Sequence, residues 1–376
     1  MESARLPIEL CEAIIDAIRP SCDAWYDDPL ESPTLKACAL TCRAWRPRAQ
    51  LNLWKAVLLE HRERIVPEFI AAVRSSHDRL APLVRTMCLH PFGQELPLDL
   101  FMPTLPNLRF LAMEAVKWMS FPPRASRMRM PLLASLTELC LSGCGFHTVK
   151  DMFDIIWSCA NLSRAVVLGC TFTRERFTDA DAARLSVLRK RPGACQKLAS
   201  LKLFGHPFDH IFAPAGDVFG SAITELDISY IDLASSLTAL PRILASFSML
   251  ETFTVTGFIL DGDPWKPGPA LIPSIAGALP NPGTLRTMAV HIETSYETDD
   301  RTLDALCGQE ASDATDDSDT PSLRTLLSGL TRLEVRLAGV PQQSEGWWSA
   351  QIQNRIPSVR SQVVFAVATL RESGHW

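Results

Sequence analysis

His206 and His210, in the segment HPFDH with Asp209 beside the second, have the i, i+4 spacing at which two imidazoles on one helical face hold a metal ion. Pro207 stands between them and opposes a regular helix, and no further ligand set follows at a recognised spacing, so the pair does not define a metal site. Cys140 and Cys144 flank an expected turn in CLSGCG. A reactive thiol needs a basic neighbour to stabilise its thiolate, and none adjoins them, so core packing is their expected role. The remaining cysteines, at 11, 22, 38, 42, 88, 159, 170, 195 and 307, are thinly spread, and no pair forms a CxxC. That spacing suits neither a zinc knuckle nor a disulfide framework. It suits small buried hydrophobes in a reducing compartment. No GxSxG, GxGxxG, Walker loop or HExxH occurs. The expectation is a protein that is not an enzyme and takes no metal or cofactor.

Charge narrows the partners. Lys plus Arg number 37 against 42 Asp plus Glu, a formal charge of -5 over 376 residues, which gives no global basis for gripping a nucleic-acid backbone. A local basic run, Arg43, Arg46, Arg48, Lys55, Arg62 and Arg64, fits either a solvated helix face or a partner-facing patch, and it lacks an aromatic platform for bases. Residues 297–319 hold nine acids and one Arg, so this stretch forms the centre of an expected acidic, mobile loop at about 294–321. Docking of a basic partner, or phosphorylation at Ser312, Thr315, Ser318 or Thr320, is the functional alternative there. No run approaches the roughly 20 apolar residues of a membrane span, and Glu9, Glu12 and Asp16 interrupt the N-terminal apolar character. A cytoplasmic or nuclear location with no membrane partner is expected.

The elements fall into two regimes. In residues 6–19, Leu6-Pro7 opens a segment in which Leu10, Ile14, Ala17 and Ile18 recur at three and four, the spacing of one helical face. Pro7 stands in the first turn, where a helix tolerates it, and Pro20 ends the segment. The stretch at about 20–33, rich in Pro and acids, is an expected loop or insertion. From Thr34, expected as a cap, Leu35, Cys38, Ala39, Cys42 and Trp45 form a second stripe that Pro47 limits. Residues 49–65 supply an expected third helix through Leu53, Trp54, Val57 and Leu58. Three helices in about sixty residues enclose little core, so this module, residues 1–66, is expected to lean on a neighbour or partner.

In residues 67–376 an L-x-x-L-x-L phrase recurs nine times. Its apolar triplets are Val84-Met87-Leu89, Leu108-Leu111-Met113, Leu136-Leu139-Leu141, Leu162-Ala165-Val167 and Leu198-Leu201-Leu203, followed by Ile223-Leu226-Ile228, Leu250-Phe253-Val255, Leu285-Met288-Val290 and Leu330-Leu333-Val335. Five of the eight intervals lie between 20 and 29 residues, the range of leucine-rich repeats. Each copy predicts one short parallel strand, its last two apolar residues pointing into a shared core and its first closing the preceding turn. The fold class expected is α/β: a small helical bundle, then a curved solenoid with parallel strands. Gly- and Pro-rich insertions after Leu203 and Val255 are expected rim loops. A helix containing Trp347 and Trp348, then an apolar strand at 363–368, is expected to close the array, with exposure of the two Trp for recognition as the alternative.

The segments LPIELCEAIIDAI and LKACALTCRAWRPRAQ resemble the F-box motif, and are most similar to F-box-like proteins of mushroom-forming fungi. Leu6 and Pro7 match the motif's opening pair, Leu10 and Ile14 its first helix, Leu35 and Leu40 its second, and Cys42 with Trp45 its closing C-R-x-W phrase. The resemblance covers about residues 5–55, and the insertion at 20–33 departs from the family. It implies a module that binds a Skp1-like adaptor and, through it, the cullin of an SCF-type ubiquitin ligase. The divergent leucine-rich repeats would then present a protein substrate whose contact residues are unknown. Leu6, Pro7, Leu10, Ile14, Leu35 and Leu40 would contact the adaptor or support that contact, with Trp45 locking the helices together. Service of all of these residues as the module's own core is the alternative. A repeat scaffold unconnected to ubiquitin is the alternative function.

Overall fold

The structure, a computed structural model, describes residues 7–18, 31–60, 65–76, 79–90, 105–118, 133, 135–173, 195–204, 222–230, 240–259, 271–294, 300–307, 329–339, 344–355 and 363–369. Leu6, the metal-spaced His206 and His210, and most of the insertion at 20–33 lie outside these residues. The chain divides into two compact units, Met1–Gly145 and Phe146–Trp376.

The first unit opens with three helices, α1 (Ile8–Ala17), α2 (Glu31–Thr41) and α3 (Arg46–Lys55). Their core consists of Ile15, Leu35 and Ala49, with Ile18, Cys38, Ala39, Trp45 and Leu53 packed around it. Thr34 is not a cap: α2 starts earlier, at Glu31, which places Pro33 in its first turn, where the N–H that proline lacks would have no helical partner. The expected third helix is also corrected. It stops at Lys55, and residues 56–60 form strand β1 (Ala56–Glu60), followed by α4 (Ile65–Ser75). Val57 and Leu59 alternate with a more exposed Leu58, and β1 pairs in parallel with β2 (Thr86–His90), so long-range pairing overrides a helical spacing. Strands β3 (Phe110–Glu114) and β4 (Glu138–Ser142) continue the parallel order β1-β2-β3-β4. The helices and these four strands fall within the same compact unit.

The second unit opens with α5 (Val149–Ser158) and strands β5 (Arg164–Leu168), β6 (Ser200–Phe204) and β7 (Glu225–Tyr230). Helix α6 (Leu240–Leu244), strand β8 (Thr252–Ile259), helix α7 (Leu271–Ala278) and strand β9 (Thr287–Thr294) follow. The unit ends with α8 (Asp300–Cys307), β10 (Arg332–Gly339), α9 (Glu345–Arg355) and β11 (Val363–Thr369). Its seven strands pair in parallel in chain order. Helices α6, α7, α8 and α9 lie against one another in succession, and α9 packs on β11. The fold is mixed α/β with a largely parallel sheet. Helix α8 occupies the early part of the stretch expected as an acidic loop, with Leu303 and Leu306 buried; residues 308–319 lie outside those described.

The nine triplets set this geometry. All of their residues are buried, Leu330 being the most accessible at 6%. Middle residues pair with middle residues: Met87 with Leu111 and Leu111 with Leu139 in the first unit. In the second, Ala165, Leu201, Leu226, Phe253, Met288 and Leu333 form one register row. Because side chains alternate along a strand, one register row means one continuous apolar layer. The first residue of several triplets closes a tight turn, as when the Leu108, Leu198 and Leu285 N–H groups donate to the carbonyls of Leu105, Cys195 and Pro282. Ahead of each following strand, two N–H groups share one carbonyl: Thr224 and Glu225 donate to Ala199, Glu251 and Thr252 to Thr224, Arg286 and Thr287 to Glu251. Two residues past a triplet the backbone enters the left-handed region at Ala115, Gly143 and Gly169, and only at the glycines is that conformation free of Cβ strain.

Candidate functional site

Helix α1 is apolar on more than one side, and the fold uses one of them. Ile15 and Ile18 turn toward α2 and α3 and Cys11 is buried, while Leu10 and Ile14 are each 52% exposed and Ile8 is 43% exposed. On α2, Leu35 is core and Leu40 is 87% exposed. Of the residues singled out by the sequence, Pro7, Leu10, Ile14, Leu40 and Cys42 are on the surface, Leu35 is interior, and Trp45 is half-buried against the core. The first-helix stripe therefore divides between inside and outside. Ile8 joins the outward group without having been singled out; its spacing of three and seven from buried Cys11 and Ile15 gave the opposite signal.

A polar network fixes α1 on α3. Arg48 Nε donates to Asp16 Oδ1 at 2.8 Å and its Nη2 to the other carboxylate oxygen. Asn52 Nδ2 donates to Asp16 Oδ1 at 2.9 Å and to the Ile15 carbonyl at 3.2 Å, and Lys55 Nζ donates to Asn52 Oδ1 at 2.8 Å. The hydrogen bonds from Arg48 and Asn52 hold the Asp16 carboxyl well below its ordinary value. Two members of the basic run, Arg48 and Lys55, thus have structural partners, whereas Arg43 and Arg46 are exposed. Sequence reasoning did not single out Asp16 and Asn52 for this role, since their partners come from a different helix.

The second polar constellation lies on the sheet of the second unit, on the face opposite the apolar triplets. Lys202 on β6 pairs with Asp227 on β7 at 2.9 Å. On β10, Glu334 accepts from Arg332 Nη2 at 2.6 Å and from Arg336 Nε, and His291 Nε2 on β9 lies 3.9 Å from it. Burial pushes the Glu334 carboxyl up, but the two guanidiniums outweigh it and hold the group below its ordinary value. Burial, reinforced by Arg336, lowers the His291 pKa, so the ring is neutral near pH 7. The signal for these groups was the residue between the two apolar positions of each strand, Lys in LKL, Asp in LDI and Glu in LEV.

No group of three or more His, Cys, Asp or Glu side chains able to hold a metal occurs among the described residues. Cys144 is buried and its thiol donates to the Met113 carbonyl at 3.3 Å, and Cys140 lies in β4. Burial pushes the Cys195 and Cys307 thiols up to about 12, far from the thiolate that nucleophilic chemistry requires. Trp348 is buried, so the alternative of two exposed indoles does not hold. No described helix is long and apolar enough to cross a membrane. No protein-family model matches the chain, and no curated protein matches its sequence.

Proposed function

We propose that this chain is the substrate-recognition subunit of a cullin-based ubiquitin ligase, an F-box-like module docking the adaptor and divergent leucine-rich repeats receiving a protein substrate. The observation that carries the reading is the exposure of Leu10 and Ile14 on α1 and of Leu40 on α2, outside a small core of Ile15, Leu35 and Ala49. A helical module this thin gains most by covering such side chains with a partner. Fully burying a Leu or Ile is worth about 1.5–3 kcal/mol before ordering costs. The matched motif residues thereby take two roles: Leu10, Ile14 and Leu40, with Pro7, at the adaptor face, and Leu35 with Trp45 as its internal support. The in-register strands of the second unit offer a surface for a substrate, and the covalent steps belong to other subunits of the assembly, which that surface assists by proximity.

The test is a titration of the purified full chain with the ligase adaptor, alongside the double variant Leu10→Asp, Leu40→Asp. Both positions are exposed, so the variant keeps its fold, as thermal unfolding followed by circular dichroism will check. Saturable wild-type binding that the variant loses supports the proposal. A folded wild type that does not bind overturns it in favour of a repeat scaffold outside the ubiquitin system.

A further inference from the structure

We infer that the polar face of strands β6–β10 binds an extended acidic peptide, with Arg332 and Arg336 taking its carboxylates; the inference rests on the proposed reading that the repeats receive a protein partner.

Three residues on one strand build the receptor. Arg332, Glu334 and Arg336 are spaced by two, so all three side chains leave the same face of β10. The Glu334 side chain is 9% exposed, and each of its oxygens accepts from a different guanidinium. Each guanidinium has five N–H donors in a planar fork. Among the described residues both Arg side chains bond only to Glu334, and both are 51% exposed, so each keeps donors that a ligand can reach. One buried carboxylate neutralises one of the two positive charges and arranges both groups. The trio keeps a net positive charge, and a carboxylate is an anion whose paired oxygens fit such a fork.

The neighbouring strands suit a peptide rather than a small ion. In the register, Thr254 and Ala289 lie between Asp227 and Glu334, small side chains between larger polar ones. Along the next row His291 stands between Thr256 and Arg336, its Nδ1 3.5 Å from the Thr256 hydroxyl. Among the described residues, His291 Nε2 and Asp227 Oδ1 are buried without a hydrogen-bond partner. Both atoms lie beneath the surface, so it is the exposed guanidiniums, and not these two atoms, that an extended chain on this face reaches. The chain as a whole is negative, so attraction of an acidic peptide has to arise locally rather than from overall charge.

The assay is fluorescence anisotropy of a fluorescein-labelled, Glu-rich decapeptide with the full chain and no adaptor. Its comparators are the peptide with Gln for Glu and one with phosphoserine for Glu. Wild type is expected to bind the Glu peptide saturably and the Gln peptide about tenfold more weakly or worse. The double variant Arg332→Gln, Arg336→Gln is expected to lose about the same factor, while Lys36→Gln, on exposed α2 surface, leaves binding unchanged. Failure of wild type to discriminate Glu from Gln overturns the inference, and this arm holds even if the double variant misfolds. So does a folded double variant that binds like wild type, or binding confined to the phosphoserine peptide. Because no adaptor is present, adaptor docking can succeed where this fails, and the reverse.

Discussion

Helices α1 and α5 have the same length and opposite economies of apolar surface. Helix α5 begins with a capping box, Thr148 accepting from the Asp151 N–H while the Asp151 carboxylate accepts from the Thr148 N–H. It then buries Val149, Met152, Phe153, Ile155, Ile156 and Trp157, with Phe153 and Trp157 stacked at a centroid distance of 5.2 Å. Helix α1 has no side-chain cap, buries only Cys11 and Ile15, and leaves Ile8, Leu10 and Ile14 outside. Helix α5 buries six of its ten residues. Helix α1 is held by a small core and the Asp16–Arg48 pair, and much of its apolar surface still has nothing of the described fold over it. Apolar content and apolar burial are separate facts: apolar side chains fill a core in α5, whereas in α1 several of them stand outside it.

The sharpest way to break this contrast is at Phe153. It is fully buried, so Phe153→Ala is expected to lower stability by about 3–5 kcal/mol, measured by urea denaturation of the full chain. A loss below about 1 kcal/mol would show that α5 is no better anchored than α1.

A smaller effect tests what holds α1. The Asp16 carboxyl is depressed in the folded chain by its bonds to Arg48 and Asn52, so its stabilising contribution is complete above the unfolded value of about 3.9 and fades as pH falls through the lower folded value. Wild type is therefore expected to exceed Asp16→Asn in urea midpoint at pH 7, with the gap closing as the medium is acidified below about pH 4. A gap that stays constant from pH 7 to pH 3 would mean that the carboxylate's charge is not what ties α1 to α3.

The sheet was legible because its signal is local and repeated. A triplet such as Leu198-Leu201-Leu203 carries both the turn-closing residue and the period-two pair, and nine copies in one pattern outweigh irregular spacing. The end of α3 was not legible, since Leu53, Trp54, Val57 and Leu58 satisfy a helical spacing and Val57 with Leu59 satisfies a strand. Pairing with Met87 and Leu89, thirty residues on, decides between them. Nor could the sequence divide Leu10 and Ile14 from Cys11 and Ile15. All four are apolar and adjacent in spacing, and which pair turns inward depends on where α2 and α3 pack. The Glu334 clamp shows the same limit: LEVR displays alternation, but only the folded strand shows one carboxylate serving two guanidiniums.

The least stability effect belongs to the most exposed apolar residue. Leu40 is nearly bare, so replacing it removes almost no contact from the folded chain; Leu40→Ser is expected to change stability by no more than about 0.5 kcal/mol in the isolated protein. Replacing Leu35, one and a half turns earlier on the same helix, by Ala removes a core side chain and is expected to cost about 2–5 kcal/mol. Urea denaturation of the two variants side by side puts the contrast between α1 and α5 inside a single helix. If Leu40→Ser proves as damaging as Leu35→Ala, Leu40 is covered within the chain, and the outward apolar group loses the member that most requires a partner. If it is neutral, Leu40 contributes nothing to the folded chain, and its side chain stays open to a partner.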